Sequence, residues 1–207
     1  MRHPNSTSLL TYWNSRRGQR PYPLRNEIEP SDIAKLLPHI LIGEIISDTE
    51  RRFRLAGTTL CALTGKELKG TEISDLWLPE NRRNASGILR AVSDGLPAAL
   101  SMDGLSEGGR VLHAEALFLP MGGPEGQCNR ILGMISLFEA PYWVGHDPLA
   151  GFSTTGFRLI DPEEQNALVA SKVNVASLKS TAMFQHQPSH DRRNRSPFLV
   201  IEGGRKE

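Results

Sequence analysis

A chain of 207 residues with 24 basic and 23 acidic side chains, formal net charge +1, is long enough for one domain with a real core plus tails. That balance argues against a surface built for nucleic acid, and no apolar run approaches the ~20 residues that span a bilayer, so no membrane anchor is expected. Cys61 and Cys128 are the only cysteines and lie far apart, which excludes a disulfide framework or a four-cysteine zinc site within this chain and suits a cytoplasmic protein without a metal.

Ser6 or Ser8 can cap a short amphipathic helix carrying Leu9, Leu10, Tyr12 and Trp13, ended by Arg16-Arg17-Gly18. The first residues carry no long apolar segment or small-residue cleavage site, so no secretory signal is expected. Pro21, Pro23 and Pro30 predict an extended crossing of the surface, after which Ser31 caps a turn through Leu37. His39 to Ile46 reads as a first strand, and Asp48-Thr49-Glu50 as the short hairpin connection to a second. In that second strand, alternation predicts Phe53 and Leu55 on one face and Arg52 and Arg54 on the other. Gly57 then gives a sharp exit, and Thr58 or Thr59 caps the first turn of the next helix.

Short helical pieces come next: Thr59 to Leu63, closed at Gly65; Ser74 to Leu78; and a longer helix from Pro79 to about 94, stopped by Gly95. Ala98 to Met102, Arg110 to Leu119 and Ile131 to Phe138 read as three more strands joined by glycine-rich turns. Residues 39–139 therefore account for an antiparallel sheet of five strands with small helices over one face, an α+β arrangement. Beyond Ala140 no period is sustained until a helix expected from Pro162 to about Ser177, and the polar stretch 181–207 reads as disordered. The expected organisation is an N-terminal helix and extended segment over 1–30, a domain over 31–140, an extension over 141–180, and a tail.

Tyr12-Trp13 with Arg16 to Arg20, Pro23-Leu24-Arg25, Ile28-Glu29-Pro30, Leu36-Leu37-Pro38 with Ile40, and Phe53-Arg54-Leu55-Ala56-Gly57-Thr58 resemble the single-domain PAS proteins widespread in alphaproteobacteria. The resemblance runs from about residue 9 to 140. It implies a PAS fold with an N-terminal helix outside the core, and a signalling role in motility, cell cycle or stress responses through dimerisation or partner contact, without catalytic residues. Residues 79–95 contain no histidine to ligate haem, and Cys61 sits in Thr-Leu-Cys-Ala-Leu-Thr rather than a reactive flavin-type Asn-Cys-Arg-Phe-Leu motif. No cofactor is predicted; haem and flavin are disfavoured, and Cys61 reads as a small core residue.

A ligand cavity between sheet and helices is expected to draw its lining from Phe53, Leu55, Leu63, Trp77, Ile88, Leu117, Met134 and Ser136, unless these simply fill the core. His113 and Glu115 share a face of their strand with Leu117 and Leu119, and become ligand contacts if that face points inward. Leu9, Leu10, Tyr12, Trp13, Arg16 and Arg17 form the candidate interaction surface, which either packs back on its own sheet or pairs with another copy or a partner. The arginine cluster Arg16, Arg17, Arg20 and Arg25 reads either as a phosphate site or as surface ion pairs to Glu27, Glu29 and Asp32.

The leading reading is a cytoplasmic PAS regulatory module without its own output domain, acting through a protein partner or as a homodimer. The alternative is a PAS sensor holding a small molecule in the sheet–helix cavity. Two other classes fit less well. One is a small enzyme using His113, Glu115 and Asp103 as acid and base, which lacks a nucleophile or metal beside them. The other is a nucleic-acid regulator using Arg192, Arg193, Arg195, Arg205 and Lys206, whose field Asp191, Glu202 and Glu207 weaken.

Overall fold

The computed structural model describes residues 1–161. The expected helix over 162–177, the polar tail and its basic residues lie outside the described residues. Helix α1 (Pro4–Arg17) opens the chain. His3 caps it by accepting the Asn5 N–H on Nδ1 at 3.1 Å, and Pro4 takes the first helical position, where no backbone donor is needed. The helix therefore starts ahead of the expected Ser6 or Ser8. Two 3-10 turns follow through Pro30–His39, broken at Ile33.

The strands are β1 (Ile40–Ile45), β2 (Arg51–Ala56), β3 (Ala98–Ser106), β4 (Val111–Gly122), β5 (Cys128–Leu137) and β6 (Leu149–Leu159). They form one antiparallel sheet in the order β2-β1-β5-β4-β3-β6. Helices α2 (Thr58–Thr64) and α3 (Arg82–Ser93) lie between β2 and β3. The five expected strands are present, and β6 is a sixth, running along β3 from Leu149 opposite Ser106 to Leu159 opposite Ala98. The sheet thus extends past residue 140, into a stretch where Gly151 and Gly156 interrupt any period in the residue pattern.

Both faces of the sheet are covered, where one was expected. On the inner face, Leu41, Phe53, Leu63, Trp77, Ile88 and Phe118 belong to a single buried cluster with α2 and α3. On the outer face, Leu9, Leu10 and Trp13 of α1 pack with Leu117, Leu119 and Met134. Burial of each large apolar side chain contributes roughly 1.5–3 kcal/mol, so the outer layer is a second core rather than an accessory. Among the described residues no helix is long and apolar enough to cross a membrane, and no group of three or more His, Cys, Asp or Glu could hold a metal ion.

One irregularity decides which side chains meet. Phe53 pairs with Gly43 but Leu55 pairs with Ile42, so Arg54 is the extra residue of a β-bulge. An inserted residue reverses the facing of everything beyond it. Phe53 points into the inner cluster while Leu55 emerges on the outer side, and the two do not share a face as alternation predicted.

Candidate functional site

The residues expected to line one cavity divide between the two sides of the sheet. Phe53, Leu63, Trp77 and Ile88 are buried on the inner face. Trp77 lies 6.1 Å from Phe118, ring centre to ring centre, and its indole N–H donates to Thr154 Oγ1 at 2.9 Å. Leu117 and Met134 sit on the opposite face under α1, and Leu55 stands 47% exposed. The inner side of β4 and β5 is instead made by Ala114, Ala116, Phe118 and Ile135. Parity alone could not choose, because both sides of β4 are apolar when both are buried.

Glu115 and Ser136 are also outer-face residues, paired directly across β4 and β5 and both buried. The Glu115 carboxylate accepts the backbone N–H of Arg2 at 2.7 Å and of His3 at 3.2 Å, so it anchors the residues that lead into α1. Burial works to raise its pKa, but the Ser6 hydroxyl, the two amides and the N-terminal ammonium outweigh it and hold the carboxyl below the usual carboxylate range. His113 is elsewhere: its Nδ1 lies 2.7 Å from Asp103 Oδ1 on the neighbouring strand, with the imidazole 72% exposed. The expected acid–base trio is thus one exposed cross-strand pair and one buried structural carboxylate.

The candidate interaction surface on α1 is mostly interior. Leu9, Leu10 and Trp13 are buried against the sheet, and the Trp13 indole N–H donates to the Pro120 carbonyl at 2.9 Å. Of the two alternatives, the helix packs back on its own sheet, because its apolar stripe matches the apolar outer side of β4 and β5. Arg17 is buried with it, donating to Asn14 Oδ1 at 2.8 Å and to the Arg20 carbonyl at 2.9 Å. Tyr12 is half-buried, its hydroxyl accepting the Glu29 N–H at 2.8 Å. Arg16 pairs with Asp32 and Arg20 with Glu27, so two of the four clustered arginines are held in ion pairs. Cys61 is half-buried on α2 rather than in the core.

Two concave features were not foreseen. A groove of about 620 Å³ runs between α3 and β6, with Asn84 and Ile88 on one wall and Thr154, Phe157 and Leu159 on the other. Its second wall is the strand that local pattern did not predict. A cleft of about 510 Å³ opens on the outer face, bounded by Arg25, Ile33, Leu37, Ile42 and Leu55. Arg25, Pro38 and Gly57 line it from motifs that carried the family resemblance but no reading of a cleft, and the bulge that delivers Leu55 to it leaves no mark in the residue pattern.

Residues 1–136 match the family model described as PAS domain. No curated protein matches the chain at a significant level. Among solved structures, it is similar to a light-oxygen-voltage domain studied with a flavin analogue, at 14% identity over 54% of this chain and 85% of that one, TM-score 0.44. It is similar also to the PAS domain of a Colwellia psychrerythraea protein, at 15% identity over 52% of this chain and 95% of that one, TM-score 0.41. A Rhodobacter sphaeroides LOV protein matches at 14% identity over 56% of this chain and 71% of that one, TM-score 0.41.

Proposed function

Because the chain belongs to the PAS-domain family through residues 1–136, we propose that it is a regulatory module that works by binding, with a second copy of itself seated at the groove between α3 and β6. The observation that carries this is the sheet edge. Strand β6 is 11 residues long; its outer side is bridged at Phe152, whose carbonyl accepts the Leu78 N–H at 3.0 Å, and past Thr154 no strand lies along it among the described residues. Past a bulge at Thr155 it presents Phe157, 60% exposed, and Leu159, 40% exposed, along a groove that α3 leaves open. An open strand end carrying exposed apolar side chains is a template for pairing with another chain. Two such edges related by a twofold axis are self-complementary, the commonest form of homodimer. Cys61 and Cys128, unbonded in the fold, suit a reducing compartment such as the cytoplasm.

Sedimentation equilibrium of the full chain tests the reading. The expected result is twice the chain mass at micromolar concentration, reverting to one chain mass in Phe157→Asp with an unchanged thermal midpoint. A monomeric wild type, or a variant that remains dimeric, would overturn it.

A further inference from the structure

We propose that the outer-face cleft beside Leu55 is a binding site for a small amphiphile, an apolar chain ending in a single carboxylate that the Arg25 guanidinium receives. At about 510 Å³ the cleft falls within the ~300–1,000 Å³ range of small-molecule sites. Ile33, Ile42 and Leu132 make its floor, and Leu37 and Leu55, 39% and 47% exposed, leave apolar surface open to water at its rim. A trench of this kind offers an alkyl chain burial on both sides.

The charge at the cleft gives the ligand its polarity. Arg25 donates one hydrogen bond, from Nη1 to the Ile28 carbonyl at 3.3 Å, and has no carboxylate within ion-pair distance among the described residues. Arg16 and Arg20, in the same N-terminal region, each have one. An unmatched arginine fork bordering an apolar trench complements a carboxylate on a hydrocarbon tail. It repels an ammonium of the same length.

Two backbone features shape the cleft. The bulge at Arg54 turns Leu55 out of the inner core and into the cleft. Gly57 lets the Pro30–His39 segment close over the end of β2, since a Cβ there would lie 2.3 Å from the Pro38 carbonyl oxygen. Arg25, Pro30, Leu37, Pro38 and Leu55 come from separate motifs on which the family resemblance rests, and they converge here.

The test is a titration of the ¹⁵N-labelled full chain with sodium decanoate below its micellar concentration, followed by amide shifts, with decyltrimethylammonium as the matched cation. The expected result is a saturable response at Leu37, Leu55 and Thr58. Affinity should fall about tenfold or more in Arg25→Gln, as loss of a charge-assisted hydrogen bond implies, and by a similar factor for the cation. Ala34→Trp, which fills the cleft from an exposed position, should abolish the response. Equal affinity for anion and cation, no change in Arg25→Gln, shifts centred on Phe157, or binding only to anionic lipid vesicles would each overturn the proposal. If Ala34→Trp fails to fold, the Arg25→Gln and cation comparisons still decide.

Discussion

The carboxylate of Glu115, in the middle of β4, accepts the backbone N–H of Arg2 at 2.7 Å, across a sequence separation of 113 residues. With the His3 amide at 3.2 Å, this bond replaces solvent for the donors at the start of α1 and fixes that helix to the outer sheet face. Glu115→Ala leaves those donors without their acceptor, and we expect a loss of about 1–3 kcal/mol in urea denaturation. Amides from Asn5 to Leu10 should exchange faster, while those of α3 stay as they were.

The same carboxylate gives stability a pH dependence of known sign. Its pKa in the folded chain is below the ordinary 4.5. The stabilisation is therefore complete above 4.5 and is lost as pH falls from there through the folded value, because over that interval the unfolded chain holds a proton that folding must release. Thermal midpoints measured across acid pH should drop more steeply in the wild type than in Glu115→Gln. Parallel curves would show that Glu115 is not the group responsible.

Trp13 plugs the outer core and satisfies the Pro120 carbonyl, with no exposed surface of its own. Trp13→Ala should cost about 3–5 kcal/mol, the range for emptying a large aromatic site. Trp13→Phe, which keeps most of the bulk and loses the indole donor, should cost nearer ~1 kcal/mol. Chemical denaturation of the two variants separates packing from hydrogen bonding at this position.

Gly57 has an ordinary φ of −70°, so its role is close approach and not a left-handed turn. A methyl group there would meet the Leu37 and Pro38 carbonyl oxygens at 2.5 and 2.3 Å. Gly57→Ala should destabilise the chain by roughly 1–3 kcal/mol, as overpacking does, and should displace the Pro30–His39 segment. Amide shifts at Ile33 and Ile40 report that displacement.

Local pattern made the five central strands and the short helices legible, because glycine and proline mark their ends. Side of the sheet was much less legible. Strand β4 runs Leu112-His113-Ala114-Glu115-Ala116-Leu117-Phe118-Leu119, with apolar residues at both parities, since α1 buries one side and α3 the other. That double apolarity, set beside an N-terminal helix with Leu9, Leu10 and Trp13 to bury, contained the information that the sheet is covered twice. The bulge at Arg54 could not be read, because it arises from pairing between β1 and β2 and not from either strand alone. Strand β6 was hidden for a related reason: its glycines and threonines become a strand through the ladder to β3. The α3–β6 groove was missed along with it.

The most direct test of contact at the sheet edge is hydrogen exchange on the full chain at two concentrations, one well below and one well above the dimer midpoint. Protection of the amides from Gly156 to Leu159 should rise with concentration, while the amides of β2 at the opposite edge stay constant. If the β6 amides exchange at one rate throughout, or the gain in protection falls on α1 instead, the contact proposed here is wrong.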